Sequence, residues 1–253
     1  MSAISTVLIT GCSSGFGLET ARFFLDKGWH VVATMRTPRE GLLPPSERLR
    51  LLALDVTDAE SIRRCVEEAG PMDALVNNAG VGLLAPTEGI ALSSVREIFE
   101  TNTFGTMAMT QAVLPQFRQR RAGVVVNVTS TVTLMPLPLL SVYTASKAAV
   151  NAFTECLALE LEPFGVRARL VLPGRSPSTS FGANARPLMA SSTHAAYAEF
   201  TERVFAAVRD TATPVTHAQD VAEAVWWAVT DPAAPMRIPA GADAVALAQS
   251  LLL

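Results

Sequence analysis

From Ile4 almost to its end, the chain alternates between short apolar runs and longer segments with helical spacing. The runs are ISTVLIT (4–10), WHVVATM (29–35), RLLALDV (50–56), DALVNNAG (73–80), GVVVNVTS (123–130), VRARLVLPG (166–174) and MRIPAG (236–241). Most are too apolar to leave one face in water, as expected of strands covered on both sides. Between them lie LETARFFLDKG, the segment AESIRRCVEEAG capped by Asp58, a long helical stretch at 92–118, a helix at 142–164, the amphipathic STHAAYAEFTERVFAAVRD and a helix at 218–230. This order specifies an α/β protein: a doubly wound parallel sheet of about seven strands with helices on both faces. No linker or repeat interrupts it, so 1–253 reads as one domain with a well-buried core. Only 175–215 breaks the rhythm; it opens as the loop RSPSTSFGANARP, and with Gly182 and Pro187 it reads as a substrate-binding lid.

Composition excludes several classes. A net charge of −3 gives no basic footprint for nucleic acid. No apolar run approaches the ~18 residues of a membrane span, and MSAISTVLIT lacks the basic region of a signal peptide. Cys12, Cys65 and Cys156 are scattered, as are His30, His194 and His217. The expectation is no metal, no disulfide framework and a cytoplasmic location.

A doubly wound sheet binds ligands at the carboxyl ends of its strands. The first strand-to-helix turn here is Thr10-Gly11-Cys12-Ser13-Ser14-Gly15-Phe16-Gly17. Glycines let backbone approach a pyrophosphate, and the next helix offers free N–H groups and a favourable dipole. The second strand ends Thr34-Met35-Arg36-Thr37, with no carboxylate for a ribose 2′-hydroxyl. Arg36, with Arg39 as a second contact, suits a 2′-phosphate instead, which points to NADP(H).

Tyr143 and Lys147 stand four apart in SVYTASKAAVNAF, on one face of a helix. An ammonium beside a phenol draws its pKa down toward working pH, which suits a proton donor and acceptor. Ser130, closing GVVVNVTS, is placed to bring a hydroxyl beside that phenol.

TGCSSGFG, the NNAG run at 77–80, Asn102 in ETNTFG, Ser130 and Tyr143-x-x-x-Lys147 closely resemble, in order and spacing over about 1–175, the short-chain dehydrogenase/reductase superfamily in its compact single-domain Rossmann branch. The resemblance implies hydride transfer between a nicotinamide and a carbonyl or alcohol carbon. Tyr143 would be the general acid, Ser130 would orient the substrate oxygen, and Lys147 would bind the nicotinamide ribose. The main-chain carbonyl of Asn102 would hold a relay water; the alternative for Asn102 is a helix-distorting structural role. Asp55 and Val56 would flank the adenine, and Asn78, Ala79 and Gly80 would line the cofactor, while Asn77 would tie central strands and Thr10 be structural. Pro173-Gly174 matches the loop over the nicotinamide, with Ser178 and Thr179 both open as the carboxamide contact. Homodimers or homotetramers are usual in such families.

TVTLMPLPLLSV, between Ser130 and Tyr143, is strongly apolar, as are Val81, Leu83, Leu84, Phe181, Met189, Tyr197 and Phe200. Such residues fit a hydrophobic ketone or aldehyde; Arg175 or Arg186 leaves an anionic substrate open. The expected function is NADPH-dependent carbonyl reduction, with a non-catalytic NADP(H) sensor as the alternative. The apolar end AVALAQSLLL reads as core or interface.

Overall fold

Each apolar run supplies one strand: β1 (Thr6–Ile9), β2 (His30–Met35), β3 (Leu49–Ala53), β4 (Ala74–Asn77), β5 (Gly123–Val128), β6 (Val166–Pro173) and β7 (Arg237–Ala240). They pair in parallel in the order β3-β2-β1-β4-β5-β6-β7. The order reverses between β1 and β4, so a crevice opens above their carboxyl ends. The computed structural model describes residues 5–177, 179, 189, 192, 194–209 and 214–251.

The helices among these residues are α1 (Gly15–Asp26), α2 (Ala59–Ala69), α3 (Leu92–Phe99), α4 (Gly105–Arg120), α5 (Ser141–Leu161), α6 (Ala198–Arg209), α7 (Ala218–Thr230) and α8 (Ala242–Ser250). Alternate strand residues point to opposite faces. Val7 and Ile9 therefore pack with Ala21, Phe24 and Leu25 of α1 and with Val221, Val225 and Val229 of α7. Leu8, Leu75 and Val125 meet Met109, Val113 and Phe117 of α4 and Leu157 and Leu161 of α5. Phe24, Trp29 and Trp226 close the first layer through edge-on ring contacts. Asp58 caps α2 as expected, accepting from the N–H groups of Glu60 and Ser61.

Two features depart from the sequence reading. The stretch 92–118 is not one helix; α3 and α4 are joined by a π turn, Glu100–Phe104. Periodicity does not register one widened turn. Two residues account for it: Asn102 turns inward to Val81, and α4 starts at Gly105, where a Cβ would lie 2.8 Å from Val56 Cγ2. The apolar end also forms a helix, α8, which the sequence reading did not assign.

Candidate active site

The carboxyl ends of β1, β4, β5 and β6 bring most of the candidate residues together. Gly11 and Gly15 adopt left-handed backbone, φ 75° and 59°, and Ser14 begins α1 without a side-chain cap. The first turn of α1 thus keeps its N–H groups clear of the Ser14 side chain, as an incoming phosphate would require. Gly17 is needed for a different reason: a Cβ there would lie 2.4 Å from both the Gly11 carbonyl oxygen and Asn78 Nδ2. Asn78 folds under the turn, its amide donating to the carbonyls of Thr10 at 2.9 Å and Gly11 at 3.3 Å. Thr10 Oγ1 accepts from the N–H groups of Asn78 and Ala79, which makes it structural.

At the end of β5, Ser130 starts a short 3-10 turn. Its side chain is hydrogen-bonded to the Tyr143 hydroxyl. Lys147, one turn beyond Tyr143 on α5, is buried and donates through Nζ to the Val128 carbonyl at 3.1 Å. Gly80 lies alongside; a Cβ on it would stand 3.2 Å from Asn102 Oδ1 and 3.3 Å from Lys147 Nζ. The Asn102 amide clamps Val81 by both backbone groups, accepting its N–H at 2.8 Å and donating to its carbonyl at 2.9 Å. It also donates to Ser146 Oγ, which in turn donates to the Tyr143 carbonyl. Asn102 therefore both widens the helix and fixes the loop beside Lys147.

The electrostatics correct one expectation. Burial pushes the Tyr143 phenol above its ordinary pKa, and the opposing pull comes from Ser130 rather than from Lys147. Lys147 is itself brought down to about 8, because burial disfavours its charge. Residue spacing carries no information on desolvation, hence the reversed sign. A protonated phenol paired with a hydroxyl can donate to an oxygen that gains charge in this crevice.

The remaining candidates divide. Arg36 is exposed beside Asp55, and Arg39 donates to the Ser13 carbonyl at 3.1 Å on the rim of the glycine turn. The Asp55 carboxylate accepts from Thr57 N–H and Oγ1, which lowers its pKa. Phe16 and Val56 pack as partly buried residues against the two apolar layers. Pro173 ends β6, and Gly174 follows it into the crevice. Val81, Leu83 and Met189 gather with Ile90, Ile98 and Val142 in a third apolar cluster. Before α5, buried Leu139 takes a left-handed φ of 64° and accepts from Ala85 N–H. Phe200, by contrast, is exposed. Ser178, Phe181, Gly182, Arg186 and Pro187 lie outside the described residues. Cys12 belongs to the glycine turn but is inert: burial raises its thiol to about 12.

Asn77 ties the central strands as the resemblance implied, but its partners and several other contributors were not foreseen. Asn77 faces Asn127 across β4 and β5, donating to it at 2.9 Å and to Thr110 at 3.0 Å, and Asn127 donates to Thr154. Only the Asn77 end had a signal, in NNAG. Thr216 and Asp243 accept from the backbone N–H groups of Gly174 and Arg175. Their sequence surroundings carry no mark of this. Glu88 meets His194 at 3.6 Å and is hydrogen-bonded to Tyr197, tying α6's approach to the loop before α3.

The residues suit a dinucleotide on two observations: a left-handed glycine turn leading into a helix whose first N–H groups have no side-chain cap, and a buried Ser176 hydroxyl without a hydrogen-bond partner among the described residues. No group of three or more potential metal ligands occurs among the described residues. Residues 5–187 match a family model described as short chain dehydrogenase. A 3-ketodihydrosphingosine reductase from Bacteroides thetaiotaomicron is 41% identical over 66% of this chain and 62% of its own length. The chain thus matches about three fifths of that relative. A short-chain dehydrogenase from Streptomyces avermitilis superposes with a TM-score of 0.84 at 30% identity, over 100% of this chain and 93% of the other. One from Burkholderia cenocepacia, solved in complex with NADP, gives 0.78 at 26% identity, over 98% and 93%.

Proposed function

Since the chain belongs to the short-chain dehydrogenase family, an oxidoreductase family, we propose that it is an NADPH-dependent enzyme that reversibly reduces a hydrophobic ketone or aldehyde to its alcohol. The observation that carries this reading is the buried Tyr143 hydroxyl bonded to Ser130, with Lys147 one turn away on the same helix.

A nicotinamide dinucleotide, when bound, supplies or accepts the hydride. The pyrophosphate would be held by Gly11, Ser13, Ser14, Gly15, Phe16 and Gly17, the adenine by Asp55 and Val56, and the inner half by Asn78, Ala79, Gly80, Pro173 and Gly174. Arg36 and Arg39 would hold the 2′-phosphate, the basis for NADPH over NADH. In reduction Tyr143 gives its proton to the alkoxide oxygen, and a raised phenol pKa keeps that proton in place at neutral pH. Ser130 donates to the same oxygen and fixes its direction. Lys147 holds the ribose hydroxyls. The Asn102 carbonyl accepts from Thr106 Oγ1 at 2.8 Å and has a second lone pair for a relay water behind Lys147.

The third apolar cluster, with Val81, Leu83, Val142 and Met189, lines the substrate side and favours an apolar carbonyl compound. The lid expected of 175–215 falls partly outside the described residues. A homodimer or homotetramer in the cytoplasm completes the reading; among the described residues no helix is long and apolar enough to cross a membrane. The test is loss of NADPH absorbance with a panel of steroids, retinoids, aryl ketones and acyl thioesters, repeated with NADH. Turnover of an apolar ketone or aldehyde with NADPH preferred is expected. Absence of turnover across the panel, or an NADH preference, rejects the corresponding part.

A further inference from the structure

The backbone leaving β6 forms a strap. Gly174 follows the carboxyl end of that strand, and by Thr179 the chain has crossed to α1, where a Cβ on Gly15 would meet the Thr179 side chain at 3.4 Å. The strap therefore passes over the crevice between the central strands and the glycine turn. Its far end is tied within itself: Thr179 Oγ1 donates to the Ser176 carbonyl at 3.0 Å. That leaves Ser176 Oγ as the strap hydroxyl that is buried without a hydrogen-bond partner among the described residues.

The near end is tied by residues far away in sequence. The Gly174 N–H donates to Thr216 Oγ1 at 2.9 Å, and the Arg175 N–H donates to Asp243 Oδ2 at 2.7 Å. The Thr216 N–H donates to the Arg175 carbonyl at 2.8 Å. Thr216 Oγ1 lies 2.7 Å from Asp243 Oδ1 and 2.8 Å from the Ala240 carbonyl, so its proton is shared between two acceptors. Two glycines make room for this joint. A Cβ on Gly174 would fall 2.1 Å from Asp243 Oδ2, and one on Gly241 2.2 Å from Thr216 Oγ1. Thr216 is fully buried. Three groups, the Thr216 hydroxyl and N–H and the Asp243 carboxylate, thus converge on the consecutive residues Gly174 and Arg175.

We infer that Thr216 and Asp243 are positioning residues for cofactor binding: they fix Gly174 and Arg175 so that the strap carries the Ser176 hydroxyl toward the nicotinamide half of the dinucleotide. The inference rests on the dinucleotide reading above. A buried hydroxyl lacking a partner gains one when a polar group arrives, and holding the loop beforehand lowers the cost of ordering it.

The test uses the full chain, with NADPH, NADH and their nicotinamide-free counterparts 2′-phospho-ADP-ribose and ADP-ribose as calorimetric probes. Asp243→Ala and Thr216→Val should each weaken the preferred dinucleotide roughly tenfold, the scale of one charge-assisted hydrogen bond. The matching nicotinamide-free probe should bind as to wild type, and Thr216→Ser should restore dinucleotide affinity. Ser176→Ala should repeat the selective loss. Should Asp243→Ala fail to fold, the Thr216→Val and Thr216→Ser pair decides. Unchanged dinucleotide affinity in Thr216→Val, or equal weakening of both probes, overturns the positioning role alone. A wild-type protein that binds neither dinucleotide overturns the dinucleotide reading and this inference with it.

Discussion

Tyr143 and Lys147 show what spacing alone transmits. Their place on one helical face and their company with Ser130 follow from sequence, because i and i+4 fix geometry. Their proton affinities do not, because these depend on what the rest of the fold stacks around them. Replacing Tyr143 by Phe should lower reductive kcat by at least about 100-fold, the scale of a lost general acid, while NADPH affinity by titration stays near wild type. Lys147 carries a stability consequence whose sign follows from its depressed pKa. Its ammonium is penalised in the folded state, so stability rises as pH climbs through about 8 toward the ordinary 10.5. The contribution is complete above 10.5 and lost as pH falls through 8. Urea unfolding of wild type should therefore gain about 2 kcal/mol relative to Lys147→Met between pH 7 and pH 9.5. A constant difference would show that burial of the ammonium carries no such cost.

Among elements, strands were the easiest to read, because a run such as GVVVNV has one stable environment, between two helical layers. The linked pair α3 and α4 was harder. Its helical pattern continues across 92–118, and the π turn depends on Asn102 finding both backbone groups of Val81, a partner 21 residues away. Asn102→Ala should leave those two groups unpaired and destabilise the protein by about 2–4 kcal/mol in denaturant melts. The glycine turn was legible as a phosphate cradle, but the demand at Gly17 comes from Asn78, just past the end of β4. Gly17→Ala, forced against Asn78 Nδ2 and the Gly11 carbonyl, should disturb the turn and weaken binding of NADPH and of 2′-phospho-ADP-ribose alike. A turn that merely links β1 to α1 would leave both affinities intact.

At the scale of the whole molecule, two apolar layers and a switch in strand order create the crevice, and this much was contained in the alternation of patterns. The joints that close it were not. Thr216, just before α7, and Asp243, just after β7, stand outside any motif, and only the folded chain brings both to Gly174 and Arg175. The global packing also sorts the cysteines. Burial raises Cys12 to about 12 and Cys65 to about 11, whereas Cys156 is exposed. Iodoacetamide labelling followed by mass spectrometry should modify Cys156 first and reach the other two only on unfolding. Early labelling of Cys12 would mean that the glycine turn opens readily.

The asparagine pair at the centre of the sheet has a bearing on assembly as well as on architecture. Apolar parallel strands such as β4 and β5 offer little to tell one alignment from another two residues along. In the native alignment Asn77 faces Asn127, and their amides reach Thr110 and Thr154. A chain that zipped up two residues out of step would strand both amides against hydrocarbon, at a cost of several kcal/mol. The pair therefore sets the alignment of β4 against β5 energetically, and with it the place of the crevice above them.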